Sequence, residues 1–306
     1  MTTHLSRRAF LFACGAMASG SLADAQNSRR GAARTFRGRA EDEWLTLLAS
    51  RPAERMVSRF NSTAIVFGLE LGGGLMTAFK PERPGQESWW RHEIVSYRFA
   101  TLLGIENRVP PTVGRRVPAS VFGRYAASDR LVVGEGGLIR GSASVWMPVL
   151  RGGGLHTEAS RRVWREWLSP GATIPAEHRE RARQIAALLV FDWLMANTDR
   201  WNCCNIPLDE RGDLVYRDND AGWSPPLMNR VNTPSNVQRL PRSLWERVRA
   251  VDGEALRAEV ERDPMRAEGL IGRSECAGYE RRRARLIAHV EGLVARHGEG
   301  AVLAWP

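Results

Sequence analysis

Arg151-Gly152-Gly153-Gly154 divides this 306-residue chain into two parts with different periodicities. Before it, apolar residues come in short runs bounded by glycine and proline, the pattern of strands. After it, they recur at helical spacing over longer stretches. Strands and helices segregated in this way predict an α+β protein: a strand-rich N-lobe over 41–150, a mainly helical C-lobe over 151–306, and a cleft between them. The length suffices to bury a large core.

Within the first part, Glu41–Ser50 reads as a short amphipathic helix carrying Trp44, Leu45, Leu47 and Leu48. Ala64–Leu71 and Leu75–Lys80 read as two strands joined by a tight hairpin at Gly72-Gly73-Gly74. Trp89–Leu103 is a predicted helix closed by Gly104, with Ile94, Tyr97, Leu102 and Leu103 on its apolar face. Val109–Val113 is expected to be an extended connection, followed by short strands between 131 and 150. In the second part, Arg179–Ala196 is a strongly apolar helix. Helices are also expected over Ser243–Val251, Gly253–Arg262 and Glu275–Arg296, the last with Ser274 as its N-cap.

Lysine usage singles out one position. The chain has 44 Lys plus Arg, and Lys80 is the only lysine. Arginine has taken every site where a generic positive charge suffices, which marks Lys80 as a place where a compact ammonium is needed. The formal net charge of +10 is spread along the chain, with short clusters at Arg29–Arg39 and Arg281–Arg285. That spread describes a generally basic surface and not a specific nucleic-acid partner.

Ser6-Arg7-Arg8-Ala9-Phe10-Leu11 has the twin-arginine export pattern, and Ala23-Asp24-Ala25 fits a cleavage site. Residues 1–25 are therefore expected to be a signal peptide and 26–40 a flexible basic linker. The twin-arginine translocase is then a partner, and the destination is periplasmic or extracellular. The apolar run is too short to span a bilayer, so no transmembrane span is expected in the mature chain. Cys203, Cys204 and Cys276 have no zinc spacing. One disulfide from Cys276 to either neighbour, or free buried thiols, are both compatible with them.

Two polar clusters complete the chemistry. Asn197-Thr198-Asp199-Arg200-Trp201-Asn202-Cys203-Cys204-Asn205 follows the apolar helix directly. Asp218-Asn219-Asp220-Ala221-Gly222 follows the short strand Leu214-Val215-Tyr216. Phosphoryl transfer needs a Lys on the donor phosphates and a Glu to fix that Lys. It also needs one Asp to orient the acceptor hydroxyl, and an Asp with an Asn to hold a divalent cation. Lys80, Glu93, Asp199, Asn205 and Asp218 supply these in chain order. Glu87 competes with Glu93, and Asn202 with Asn205. Asp220 is either a metal ligand or a turn cap. Asp192 reads as a structural brace, and His92 and His156 as surface residues.

The sequence resembles the secretory-pathway kinases of the four-jointed and Golgi casein kinase type, within the protein-kinase-like superfamily. Ala78-Phe79-Lys80-Pro81, His92–Phe99 with Leu102-Leu103-Gly104, and Arg108–Arg115 carry the resemblance in the first part. Phe191–Leu194, Asn197–Arg200 and Asp218–Gly222 carry it in the second. It implies a bilobal protein-kinase-like fold that uses ATP with Mg²⁺ or Mn²⁺. Lys80 is implied to bind the phosphates, and Glu93 to hold Lys80 or a metal. Asp199 is implied as the catalytic aspartate, Asp218 as the metal ligand with Asn205 beside it, and the Met147 region as the backbone that meets adenine. The phosphate loop is expected near Asn61-Ser62-Thr63. Trp201 departs from the family, standing where His is common. The expectation is an exported kinase acting on a protein or glycan hydroxyl, with a pseudokinase scaffold as the alternative and AMP transfer as a variant.

Overall fold

The computed structural model describes residues 34–61, 65–127, 131–201, 205–223 and 233–305. The expected signal peptide, most of the linker, Ser62, Thr63, Asn202, Cys203 and Cys204 lie outside the described residues.

The N-lobe is built on five strands: β1 (Ala53–Asn61), β2 (Ile65–Leu71), β3 (Leu75–Pro81), β4 (Thr112–Pro118) and β5 (Leu138–Val145). They pair antiparallel throughout, in the order β1-β2-β3-β5-β4. Leu71 pairs with Leu75, so the three glycines form the β2–β3 turn as expected. Gly73 and Gly74 have φ of 78° and 75°, a region that costs other residues strain. β1 and β4 were not legible as strands. β1 is an edge strand with charged residues, and β4 carries Arg115 and Arg116 in place of an apolar run.

Strand periodicity sorts the side chains into two faces. Phe67, Leu69, Leu71, Phe79, Val113, Ile139, Ala143 and Val145 are buried in one core with Leu48 of helix α1 (Glu41–Ser50) and Phe122. The register pairs Gly68 with Ala78 and Lys80 with Ser142. These four lie on the opposite face, so Lys80 points away from the N-lobe core.

Helix α2 (Trp89–Leu103) is buried on nearly all sides, which its position between the sheet and the C-lobe requires. Gly104 closes it at φ 70°. Arg98 ties it to the C-lobe through Glu259 at 3.6 Å and Asp263 at 3.5 Å.

The C-lobe contains α3 (Glu158–Trp167), α4 (Arg179–Met195), α5 (Arg242–Ala250), α6 (Gly253–Val260) and α7 (Arg273–His297). Every residue of α4 from Gln184 to Met195 is buried, so this helix is the centre of the C-lobe core. It ends at Ala196, which takes a left-handed conformation and turns the chain into the Asn197–Arg200 loop. α7 starts earlier than expected. Gly272, and not Ser274, is its N-cap, because the Glu275 carboxylate reaches back to accept the Gly272 N–H. The glycine break is tied down by strand pairing. Arg151-Gly152 pairs antiparallel with Pro207-Leu208, and a Cβ at Gly153 would stand 2.5 Å from the Ile206 carbonyl oxygen. Cys276 is a buried free thiol. Among the described residues, no helix is long and apolar enough to cross a membrane.

Candidate active site

Three elements converge on one ammonium. β3 presents Lys80 on the face opposite its core. Glu93, in the second turn of α2, faces it, and Lys80 Nζ donates to Glu93 Oε1 at 2.5 Å. The loop after Tyr216 supplies the other two acceptors: Lys80 also donates to Asp218 Oδ1 and, at 2.8 Å, to Asp220 Oδ2. Asp218 has φ 61°, the left-handed region that asparagine and aspartate enter more readily than most residues. That turn lets the loop present Asp218 and Asp220 to the same point.

The charges do not balance. Glu93, Asp218 and Asp220 place carboxylate oxygens within 4.8 Å of one another around a single cation. Burial alone would push the Lys80 ammonium down, but Asp218, Asp220 and Glu93 overcome this and hold its pKa well above the ordinary lysine range. Burial raises Glu93 and Asp220 above ordinary carboxylates, against the pull of Lys80. The Lys80 charge holds Asp218 below that range, against its own burial. Three hard oxygen donors with an excess of negative charge suit Mg²⁺ or Mn²⁺.

A second group of bonds fixes the two loops to each other. Arg200 is fully buried and donates through Nε to both oxygens of Asp192 at 3.0 Å. Its other nitrogens reach the Asn205 carbonyl at 3.1 Å, the Arg217 carbonyl and Asn219 Oδ1. One guanidinium therefore connects α4, the Asp199 loop and the Asp218 loop, a fork geometry that lysine lacks. Burial pushes the Asp192 carboxyl up to about 6, against the Arg200 charge.

Asp199 is exposed, with its backbone N–H donating to Asn197 Oδ1 at 3.0 Å. Asn205 is buried, and its Nδ2 donates to Asp199 Oδ2 at 3.0 Å and to the Asp199 carbonyl at 2.9 Å. The described side-chain hydrogen bonds of Asn205 thus go to Asp199, and not to the Lys80 cluster.

The structure brings Lys80, Glu93 and Asp218 together and joins Asp199 to Asn205. Glu87 is exposed and accepts the Gly85 N–H at 2.7 Å, so it does not compete for Lys80. Asp220 faces Lys80 directly. His92 is not a surface residue. It is buried, with Nδ1 at 2.9 Å from the Asp220 carbonyl and Nε2 at 3.2 Å from Glu275 Oε1. Its position one residue before Glu93 was the available signal. Asp192 is the brace it was expected to be. Arg200 was missed as the central connector, because a lone arginine in a polar loop reads as solvated. Met147 is half-buried against the N-lobe core, and Arg37 approaches its sulfur at 3.8 Å. Trp201 stacks on Trp164 with centroids 5.3 Å apart.

No protein-family model matches the sequence, and no curated protein matches it. Solved structures do match. A crystal structure of the Golgi casein kinase with Mn/ADP bound aligns at a TM-score of 0.63 and 15% identity, covering 86% of this chain and 78% of that one. A second crystal structure of the Golgi casein kinase aligns at 0.64 and 16% identity, covering 86% and 79%. The structure of hydra Fam20 with sugar aligns at 0.60 and 15% identity, covering 84% and 90%. With its sheet of five strands, its mainly helical second lobe and Lys80 between them, this chain has the kinase-like α+β fold of the Golgi casein kinase and hydra Fam20.

Proposed function

We propose that this protein is a secretory-type kinase, exported through its twin-arginine signal, that transfers phosphate from ATP to a protein or glycan hydroxyl. The observation that carries the reading is the Lys80 ammonium held among Glu93, Asp218 and Asp220. The likeness to a Golgi casein kinase that binds Mn/ADP supports it.

In this reading Lys80 neutralises and positions the donor phosphates. Asp218, with Glu93 and Asp220, would hold a divalent cation, which would supply positive charge to neutralise the donor phosphates. Asp199 orients the acceptor hydroxyl and accepts its proton as the new O–P bond forms and the bond to the ADP leaving group breaks. Asn205 keeps one oxygen of Asp199 engaged, so the other is directed by a fixed carboxylate plane. Arg200 holds the Asp199 and Asp218 loops in one frame.

The test is the melting temperature of the protein with ATP plus Mg²⁺ or Mn²⁺, beside Asp218→Ala. Ligand at 100 times its Kd adds about 2.7 kcal/mol to stability. A cation-dependent rise in the wild type, absent from the variant, is expected. Mass spectrometry of a modified acceptor separates phosphate from AMP transfer. Trp201, packed on Trp164 directly after Asp199-Arg200, favours the pseudokinase as the second reading. Nucleotide binding without transfer to any acceptor would select it.

A further inference from the structure

We propose that Trp146 is the stacking platform for the base of the nucleotide donor. The inference rests on the nucleotide-binding reading above and adds the residue that grips the base.

The sheet register locates the platform. Gly68 of β2 pairs with Ala78 of β3, on the same face as Lys80. Ala78 lies two residues before Lys80, about 7 Å along the strand. On the far side of β2, Ser58 pairs with Gly68 and Phe60 with Val66, so Phe60 shares this face. Trp146 follows the last residue of β5 and turns its indole onto the same face. A Cβ at Gly68 would stand 3.3 Å from Trp146 Cζ3 and 3.5 Å from Cη2, besides colliding with Ser58 Oγ. The indole therefore lies close over Gly68, while Ser58 Oγ is what closes the Cβ position to a side chain. The Phe60 ring lies 5.7 Å from that of Trp146, tilted by 37°, and Phe60 is 48% exposed.

The cleft face of the sheet thus carries an ammonium at one end and a partly exposed aromatic pair at the other. A nucleoside triphosphate has the matching order: an anionic end and a flat π-face. Stacking reads a face and not an edge, so Trp146 serves adenine and guanine alike. Met147 cannot share this role through its side chain, which packs toward the N-lobe core.

The experiment measures Kd for Mn–ATP, Mn–GTP and Mn–tripolyphosphate by calorimetry, using wild type, Trp146→Ala and Trp146→Phe. Circular dichroism checks that each variant folds. Trp146→Ala is expected to weaken both nucleotides about 5- to 150-fold and leave tripolyphosphate unchanged. Trp146→Phe is expected to stay within about 3-fold of wild type, because an aromatic face remains. Nucleotide binding that is unchanged or tighter in Trp146→Ala overturns the platform and leaves the nucleotide-binding reading standing. A wild type that binds tripolyphosphate as tightly as ATP also overturns it, since the base then contributes nothing. A wild type that binds none of the three overturns both.

Discussion

Glu93 Oε1 accepts the backbone N–H of Asn219 at 3.0 Å as well as the ammonium of Lys80. One carboxylate oxygen on α2 therefore sets the position of β3 and of the acidic loop together. The helix is held in turn by Arg98 and His92, which bind groups of the C-lobe. The three parts of the site form a single unit in the folded chain.

Glu93→Ala and Glu93→Gln should separate the two roles of that oxygen. Alanine leaves the buried Asn219 N–H without its acceptor, which costs about 1–3 kcal/mol. Glutamine keeps an acceptor and loses only the charge. Urea denaturation should show alanine as the less stable variant by that margin. Both should bind Mn²⁺ more weakly in a direct titration, since each removes one anionic donor.

Asp199→Asn should abolish proton acceptance without disturbing the fold. Asp199 is exposed, and asparagine keeps a side-chain oxygen able to accept from Asn205 Nδ2, so stability should change by no more than about 0.5 kcal/mol. Phosphate transfer should fall about 10²- to 10⁴-fold, while the melting temperature and the ATP-induced shift are retained. A variant that transfers at the wild-type rate would remove Asp199 from the mechanism.

Asp192→Ala should destabilise the protein by about 3–5 kcal/mol, because it strands the buried Arg200 guanidinium. The melting temperature reports the loss. Arg200→Lys should be nearly as damaging, since an ammonium cannot span Asp192, two backbone carbonyls and Asn219 at once.

Divalent cation binding should strengthen as pH rises through the acidic range. Burial raises Glu93 and Asp220, so in the free protein they keep protons at a pH where ordinary carboxylates have lost them. Cation binding requires their anions and must release those protons. Affinity is therefore lost as pH falls, starting above the ordinary carboxylate range. Calorimetry in buffers of different ionisation enthalpy should detect the proton release, and Asp220→Asn should reduce it.

Replacing Arg7 and Arg8 by lysine should block export if the twin-arginine signal operates. Cell fractionation should then find the protein retained in the cytoplasm at its full, uncleaved length. Export of the double variant at the wild-type level would dismiss that route.

Much of the site was legible because its chemistry is concentrated in short segments. Lys80 stands out as the only lysine, Asp218 and Asp220 sit in one turn, and Asp199 follows an apolar helix that ends abruptly. The strands of the central hairpin and helices α2, α4 and α7 carry a clear periodicity, so their existence could be read directly. β1 and β4 could not, since an edge strand rich in charged residues has no apolar run to reveal it.

The sequence by itself determined the two-part organisation, the order of the chemical groups and the identity of Lys80 as a special cation. The tertiary structure decided which groups meet. Lys80 and Asp218 are 138 residues apart, and no local rule distinguishes Glu93 from Glu87 as the partner of Lys80. Sheet register and the burial of α2 make that choice, because they set which helix face points into the cleft. Arg200, His92 and Trp146 acquire their meaning in the same way. A side chain's role depends on the neighbours that folding brings to it, and neighbours distant in sequence leave no periodic trace in the chain.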